Sequence, residues 1–270
     1  MLTRMLERLH LFVGWKRDNN DESMLFKFIN DWILIQSGGS WDNPDAVSYL
    51  LENTNHRELV VNYIDQVLQS RHAISYLGLR QFLKYRGFQN LPFSWGWKDP
   101  RNTFTLPLWL DLFPGARIIH VYRHGVDVAT SLKRRYEKAF LAEKRSQEEL
   151  PAYAYWFRRK RRLGFTSTLR CATLEGGFSL WQSYIEQAHN YALVYSDRAI
   201  EVKYEDFLQN PVQELKKLAR FCDLDVMEDD IHSAASLANP DRVYVYRNDP
   251  VSTKFAVTVR DKLASWDYYD

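Results

Sequence analysis

An arginine and a serine follow the most strand-like segment of the sequence, residues 116–122. Arg123 comes directly after that segment, and Ser131 stands two turns into the helical pattern that follows it. A guanidinium offers a planar fork of N–H groups and a hydroxyl adds a single bond, so the two side chains can hold one phosphate group. The alternative is that Arg123 forms a salt bridge with a nearby acid and that Ser131 is an ordinary helix residue.

The elements around this pair predict how it is positioned. A β-rich segment at 116–122 and another at 199–204 are separated by helical periodicity, which predicts an α/β fold with a largely parallel sheet. In such folds ligands bind at the carboxyl ends of the strands, where helix N-termini offer free N–H groups. Helices are predicted at residues 2–12, 22–35, 45–52, 56–70, 73–86, 103–112, 126–140, 177–192 and 211–222. The apolar positions of helix 22–35 are Met24, Leu25, Phe28, Ile29, Trp32 and Ile33.

Composition bounds the class of protein. With 270 residues, of which 46% are hydrophobic and 26% charged, we expect a single domain over residues 1–270 with a buried core. The 36 basic and 34 acidic residues leave a formal net charge of +2, which excludes a global field that would attract nucleic acid. Basic residues cluster at 133–135 and 158–162, where a solvated helix face and a rim for an anionic ligand are both open.

Cysteine content indicates a reducing compartment, and hydropathy indicates that no segment spans a membrane. Cys171 and Cys222 give neither a disulfide framework nor metal-ligand spacing, so no metal site is expected. No apolar run reaches the length of a membrane span, and residues 1–20 lack the pattern of a signal peptide. We therefore expect a cytoplasmic protein with no membrane span, and its oligomeric state stays open.

Short motifs in register carry a resemblance to a known family. They stand at residues 97–101 (WKDPR), 112–117 (LFPGAR), 121–131 (VYRHGVDVATS), 203–207 (KYEDF) and 210–211 (NP). In order and spacing, the sequence resembles the sulfotransferases that use 3′-phosphoadenosine 5′-phosphosulfate (PAPS), in their carbohydrate, tyrosylprotein and related bacterial branches.

The resemblance implies a fold and a reaction. The fold would be P-loop-NTPase-like, with three layers and a mostly parallel central sheet flanked by helices. The reaction would move a sulfuryl group from PAPS to a hydroxyl or amine of a carbohydrate, peptide or small metabolite, without a metal. Arg123 and Ser131 would bind the 3′-phosphate of the donor. Lys98 would stabilise charge on the bridging oxygen as the leaving phosphate gains charge, unless it is only a surface lysine. Arg101 either assists or pairs with Asp99.

The resemblance also implies a base that takes the proton of the acceptor hydroxyl. In the tyrosylprotein-like branches a glutamate shortly after the first helix has this role, and Glu22 stands at the corresponding place. Equally open is that Asp21 and Glu22 only stabilise the N-terminus of the helix that follows, where acidic side chains are favoured. His120 and His124 are rival bases.

The first motif of the family, a strand followed by a Gly-rich phosphate loop, has no counterpart in this sequence. Thr3 and Arg4 resemble the last residues of that loop, and the resemblance therefore implies that they bind the donor. We expect that the loop precedes the printed sequence; the alternative is a degenerate relative without it. Tyr244, Tyr246 and Arg247 are candidates to reach the nucleotide from the C-terminal region.

Two other functions stay open beside the transferase. One is a non-catalytic or truncated nucleotide-binding relative that retains Arg123 and Ser131. The weaker one is a P-loop small-molecule kinase, which needs a metal-holding carboxylate beside a full phosphate loop. Residues 36–95 and 139–176 are expected as lids on the acceptor side. Their aromatic side chains, which either stack on a sugar or pack a cap, are Trp41, Tyr76, Phe93, Tyr153, Tyr155 and Trp156.

Overall fold

The computed structural model of the chain describes residues 1–160, 166 and 168–269, without the side chains of residues 158–160. The side chains of the basic cluster at 158–162 and part of the expected lid at 139–176 therefore lie outside what the structure describes. Among the helices that the structure describes, none combines the length and the apolar composition that a bilayer crossing requires.

Helices dominate the described chain, in good agreement with the predicted segments. The α-helices before the first strand are α1 Leu2–Arg8, α2 Met24–Gln36, α3 Val47–Glu52, α4 Thr54–Gln69, α5 Ile74–Leu77, α6 Leu79–Tyr85 and α7 Asn102–Leu112. After strand β1 (Ile118–Tyr122) come α8 Gly125–Glu149, α9 Ala152–Lys160 and α10 Leu174–Val194. Strand β2 (Ala199–Lys203) is followed by α11 Tyr204–Gln209, α12 Pro211–Phe221, α13 Glu228–Ala235, α14 Pro250–Thr258 and α15 Arg260–Ala264. Short 3-10 turns lie at Arg71–Ala73, Arg170–Ala172, Pro240–Arg242 and Val245–Asn248.

Both predicted strands are confirmed, and they pair with each other. In the described part of the chain, β1 and β2 form a two-stranded parallel sheet. A parallel bridge between Phe12 and Trp95 adds one further extended contact. A helix-rich chain with a small parallel sheet agrees with the predicted α/β class.

The described chain divides into two compact units. The first comprises Met1–His120, Gln187–Val202 and Asp206–Pro240, and the second comprises Val121–Glu186, Lys203–Glu205 and Asp241–Asp270. Each unit contains one group of the predicted site residues.

Aromatic rings build the core of the first unit. Phe26 stacks on Trp97 at a ring-centroid distance of 3.9 Å and meets Trp109 edge-on at 5.3 Å. Tyr76 is fully buried, and its hydroxyl donates to the carbonyl of Gly96 at 2.7 Å. The left-handed backbone of Gly14 (φ 98°) brings it so close to Tyr76 that an added Cβ would lie 2.6 Å from the ring. Tyr76, one of the aromatic residues of the expected lids, therefore packs the core.

The apolar residues of helix α2 are partly buried and partly exposed. Phe26, Ile29 and Ile33 are buried, and Phe26 belongs to the aromatic core. Met24 and Phe28, two further apolar positions named for the predicted helix, are 47% and 58% exposed. The predicted helix is confirmed, and its apolar positions cover more of its circumference than the single face that is buried.

Close contact between α8 and α10 builds the core of the second unit. Gly125 begins α8 against two rings of α10: an added Cβ would meet Trp181 at 2.6 Å and Phe178 at 2.7 Å. Further along, the Cβ position of Gly177 lies 3.2 Å from the Cα of Ala129. Glycine at these positions lets the helix backbones approach, which fixes where the end of β1 and the start of α8 lie.

Candidate functional site

The loop before α2 has a fixed shape because one carboxylate closes it. Asp18 Oδ1 accepts the backbone N–H groups of Asn20 at 2.9 Å and Glu22 at 3.0 Å. The backbone at Asp21 is left-handed (φ 61°), a conformation that aspartate tolerates better than most residues. The loop therefore turns Glu22 inward at the N-terminal end of α2.

Glu22 lies among three cations. Its Oε1 accepts from Lys98 Nζ at 2.8 Å, and its Oε2 lies 3.3 Å from Lys27 Nζ and 3.7 Å from Arg101 Nη1. Glu22 is only 7% exposed, whereas the side chain of Lys98 is 42% exposed. A carboxylate and a half-exposed ammonium, the two predicted catalytic groups, therefore meet at one point.

Arg101 joins this cluster and also pairs with Asp99. Its guanidinium lies 2.8 Å from Asp99 and 2.7 Å from Asp31. Burial alone would lower the pKa of Arg101, but the charges of Asp99, Asp31 and Glu22 outweigh it and raise that pKa. Burial raises the pKa of Asp99 even though Arg101 opposes the effect. The structure thus shows the pairing of Arg101 with Asp99, and an assisting role for Arg101 stays a prediction.

A buried amide ties the Lys98 loop to α2. Asn30 is fully buried and donates to Asp99 Oδ2 at 3.0 Å and to Asn102 Oδ1 at 2.8 Å. Its carbonyl oxygen accepts from Thr105 Oγ1 at 2.8 Å and from Trp109 Nε1 at 2.9 Å. All four hydrogen-bonding positions of the amide are used, so the turn that carries Lys98 is held firmly against α2.

The two predicted donor-binding residues of the N-terminal helix lie in the same unit. Arg4 Nε donates to Asp21 Oδ1 at 2.9 Å, although its side chain is 60% exposed. Thr3 is partly buried one position earlier on α1. Arg4 therefore contacts the loop that carries Glu22.

His120, one of the rival bases, is bound within the sheet region. Its Nδ1 lies 2.8 Å from Glu201 Oε1, and the other oxygen of Glu201 lies 3.0 Å from His189 Nδ1. Burial lowers the pKa of His120 in spite of Glu201. The ring is committed to this strand pair, as expected of a packed strand residue.

The predicted site residues of the second unit begin where β1 ends, at Arg123. Arg123 donates through Nε and Nη2 to Asp127 Oδ2, at 3.1 and 2.6 Å. Asp127 is buried, and its Oδ1 accepts the backbone N–H of Tyr246 at 2.7 Å. Arg123 Nη2 also donates to the carbonyl of Arg242, and its side chain stays 29% exposed. Arg123 thus forms the salt bridge with a nearby acid that the sequence left open, and Asp127 orients one side of its guanidinium.

His124, the other rival base, is a buried helix cap. It is fully buried, stacks on Tyr246 at 4.7 Å, and its Nδ1 accepts the N–H of Val126 at 3.3 Å. Its own backbone N–H donates to Glu205, which also accepts from the Tyr268 hydroxyl at 2.8 Å. Burial raises the pKa of Glu205, although both donors oppose the effect. These contacts describe a packing and capping residue.

The remaining predicted residues of this unit are Ser131 and those of the C-terminal segment. Ser131 is exposed on α8. Arg247 lies over the ring of Tyr244 at 4.5 Å, in the segment that also supplies the Arg242 carbonyl to Arg123. The C-terminal segment does reach the arginine expected to bind phosphate.

Sequence reasoning missed the residues that hold the site in place. Asp18, Lys27 and Asn30 each contact a predicted residue or its loop, but none belongs to a short motif. Asp127 stood inside the motif at 121–131, and its spacing of one helical turn from Arg123 was a usable signal.

One of the comparisons with known proteins, the comparison with family models, gives a match. The family model described as "Sulfotransferase family" matches residues 40–229. The match includes Lys98, Arg123 and Ser131, whereas Arg4 and Glu22 lie outside it. No curated protein and no solved structure matched the chain with significance.

Proposed function

The chain belongs to the sulfotransferase family, and from that premise we propose that it transfers a sulfuryl group from PAPS to a hydroxyl or amine of an acceptor. The acceptor classes are a carbohydrate, a peptide or a small metabolite. The observation that carries the proposal is the contact between Glu22 and Lys98 at 2.8 Å, because it joins a base and a cation at one point.

The proposed reaction uses the two groups at opposite ends of the sulfuryl group. The acceptor oxygen or nitrogen bonds to sulfur while its proton passes to the carboxylate of Glu22. The bond between sulfur and the bridging oxygen breaks, and its electron pair stays on that oxygen. Lys98 stabilises the charge that develops there. The products are the sulfated acceptor and 3′-phosphoadenosine 5′-phosphate (PAP).

Donor binding is assigned to the other predicted residues. Arg123 and Ser131 take the 3′-phosphate: Asp127 occupies one side of the guanidinium and leaves Nη1 as a further donor. Thr3 and Arg4 take the 5′ end of the donor. The proposal includes the P-loop-like architecture, with the phosphates at the carboxyl ends of parallel strands.

The test is transfer of ³⁵S from labelled PAPS to a methyl pyranoside, a tyrosine-containing peptide and an alkylamine. Lys98→Ala should lower turnover much more than it weakens PAP binding, because the lysine acts mainly in the transition state. Lys84→Ala is the matched control, since the Lys84 ammonium lies over the Tyr85 ring. Binding of PAP without any transfer or PAPS breakdown would instead support a non-catalytic relative.

A further inference from the structure

We propose that Lys27 is a positioning residue for the base: it holds one oxygen of Glu22 so that the other, Oε1, receives the acceptor's proton. This inference rests on the proposed function. Lys27 is the fourth residue of α2, at the end of its first turn, and none of the motifs at 97–131 includes it.

Lys27 links the two carboxylates that shape the loop before α2. Its Nζ donates to Asp18 Oδ2 at 2.6 Å and lies 3.3 Å from Glu22 Oε2. Its side chain is 28% exposed, so the ammonium has given up part of its hydration for these contacts. Burial would lower the pKa of Lys27, but the hydrogen bond to Asp18 and the charge of Glu22 outweigh it and raise that pKa. The ammonium is therefore a lasting charge at this position.

Asp18 makes the position of Lys27 rigid. One of its oxygens accepts the N–H groups of Asn20 and Glu22, and the other accepts from Lys27. The same carboxylate thus fixes both the backbone and the cation beside Glu22. An exposed helix lysine without a structural role would not share the carboxylate of Asp18 with the backbone N–H groups of the loop before α2.

The two oxygens of Glu22 consequently have different partners. Lys27 at 3.3 Å and Arg101 at 3.7 Å face Oε2, whereas Lys98 faces Oε1. In the proposed reaction Lys98 turns to the bridging oxygen of the donor, and this movement frees Oε1. The proton leaves the acceptor hydroxyl or amine and bonds to Oε1, while Oε2 keeps its cations. Lys27 therefore acts through Glu22 and touches neither substrate.

The first experiment measures release of PAP from PAPS with water as acceptor. Lys27→Met should lower turnover by about tenfold or more, because the base loses its orientation. Its affinity for PAP should stay close to that of the wild type. Lys27→Arg should recover most of the turnover, since it restores the cation. In a Glu22→Gln background, Lys27→Met should have an effect below about twofold, because the two residues act as one unit.

Two results would overturn the inference: wild-type turnover in Lys27→Met, or an undiminished effect of Lys27→Met in the Glu22→Gln background. Lys84→Met is the matched control and should behave as the wild type.

A second measurement does not need turnover. A water-soluble carbodiimide modifies accessible carboxyl groups, and mass spectrometry gives the modified fraction of Glu22. That fraction should rise several-fold in Lys27→Met and stay at the wild-type level in Lys27→Arg and Lys84→Met. Equal modification in Lys27→Met and wild type would refute the clamp. A wild type that neither transfers ³⁵S to any of the three acceptors nor releases PAP from PAPS, but shows the expected labelling pattern, would refute the proposed function and leave the clamp intact.

Discussion

Replacing Asn30 by leucine should destabilise the protein by about 3–6 kcal/mol, because it removes four buried hydrogen bonds at once. Asp99 Oδ2, a charged acceptor, loses the hydrogen bond that Asn30 Nδ2 donates to it, which contributes about 1.5–3 kcal/mol. The three neutral partners each lose about 0.5–1 kcal/mol, because each keeps one other bond: Asn102 to Trp97, Thr105 to the Arg101 carbonyl, and Trp109 to Thr105.

The assay is unfolding in guanidinium chloride, followed by tryptophan fluorescence. The indoles of Trp97 and Trp109 lie in the same network as Asn30, so their emission reports its loss. Asn62→Leu, an exposed asparagine on α4, is the matched control and should change the free energy of unfolding by no more than about 0.5 kcal/mol. A loss below about 1 kcal/mol in Asn30→Leu would refute the claim that this amide holds the Lys98 loop to α2.

Asn30→Asp separates hydrogen bonding from packing, because the two side chains have nearly the same shape. The new carboxylate would face Asp99, and two carboxylates in contact favour sharing a proton. The folded state then binds more protons than the unfolded state, so stability should increase as the pH falls. The free energy of unfolding of Asn30→Leu should change with pH only as that of the wild type does. The same pH dependence in Asn30→Asp and Asn30→Leu would contradict the reasoning.

Three further outcomes are expected. Arg123→Ala should weaken PAP binding in calorimetry by about 1.5–3 kcal/mol; unchanged affinity would refute the 3′-phosphate assignment. Gly125→Ala should lower the free energy of unfolding by about 1–3 kcal/mol, because the rings of Trp181 and Phe178 leave no room for a Cβ; wild-type stability would mean that α8 and α10 shift easily. Burial would raise the pKa of Asp18, but Lys27 and the backbone N–H groups outweigh it and lower that pKa. The stabilisation from Asp18 is thus present above its unfolded-state pKa and is lost as the pH falls through the folded-state value. The stability difference between wild type and Asp18→Asn should accordingly shrink on acidification, and a constant difference would contradict this.

Local sequence signals predicted the helices and strands well wherever the residues of a single segment determine its secondary structure. The β-rich runs that became β1 and β2, and Pro211 at the start of α12, were recognisable without tertiary information. The predicted helix 73–86 is divided instead, because Gly78 adopts a left-handed backbone (φ 76°) between α5 and α6. Helical periodicity does not reveal which glycine leaves the helical region.

The candidate site was predictable only in part, for a related reason. Lys98 and Arg123 stand in motifs of contiguous residues, so the sequence displays them together with their neighbours. The contacts that orient the site join residues far apart in the chain, such as Asn30 with Asp99. Such pairs depend on how α2 packs on the aromatic core, and periodicity alone does not show that Met24 and Phe28 are exposed whereas Ile29 is buried.

The central claim is that the protein binds a nucleotide through its 3′-phosphate in order to transfer sulfate. The most direct measurement is calorimetric titration of the 270-residue chain with PAP, with AMP as the control that lacks the 3′-phosphate. The account predicts that PAP binds about 10–100 times more tightly than AMP, as the loss of a charged hydrogen bond implies. Equal affinity for PAP and AMP, or no binding of PAP, would contradict it.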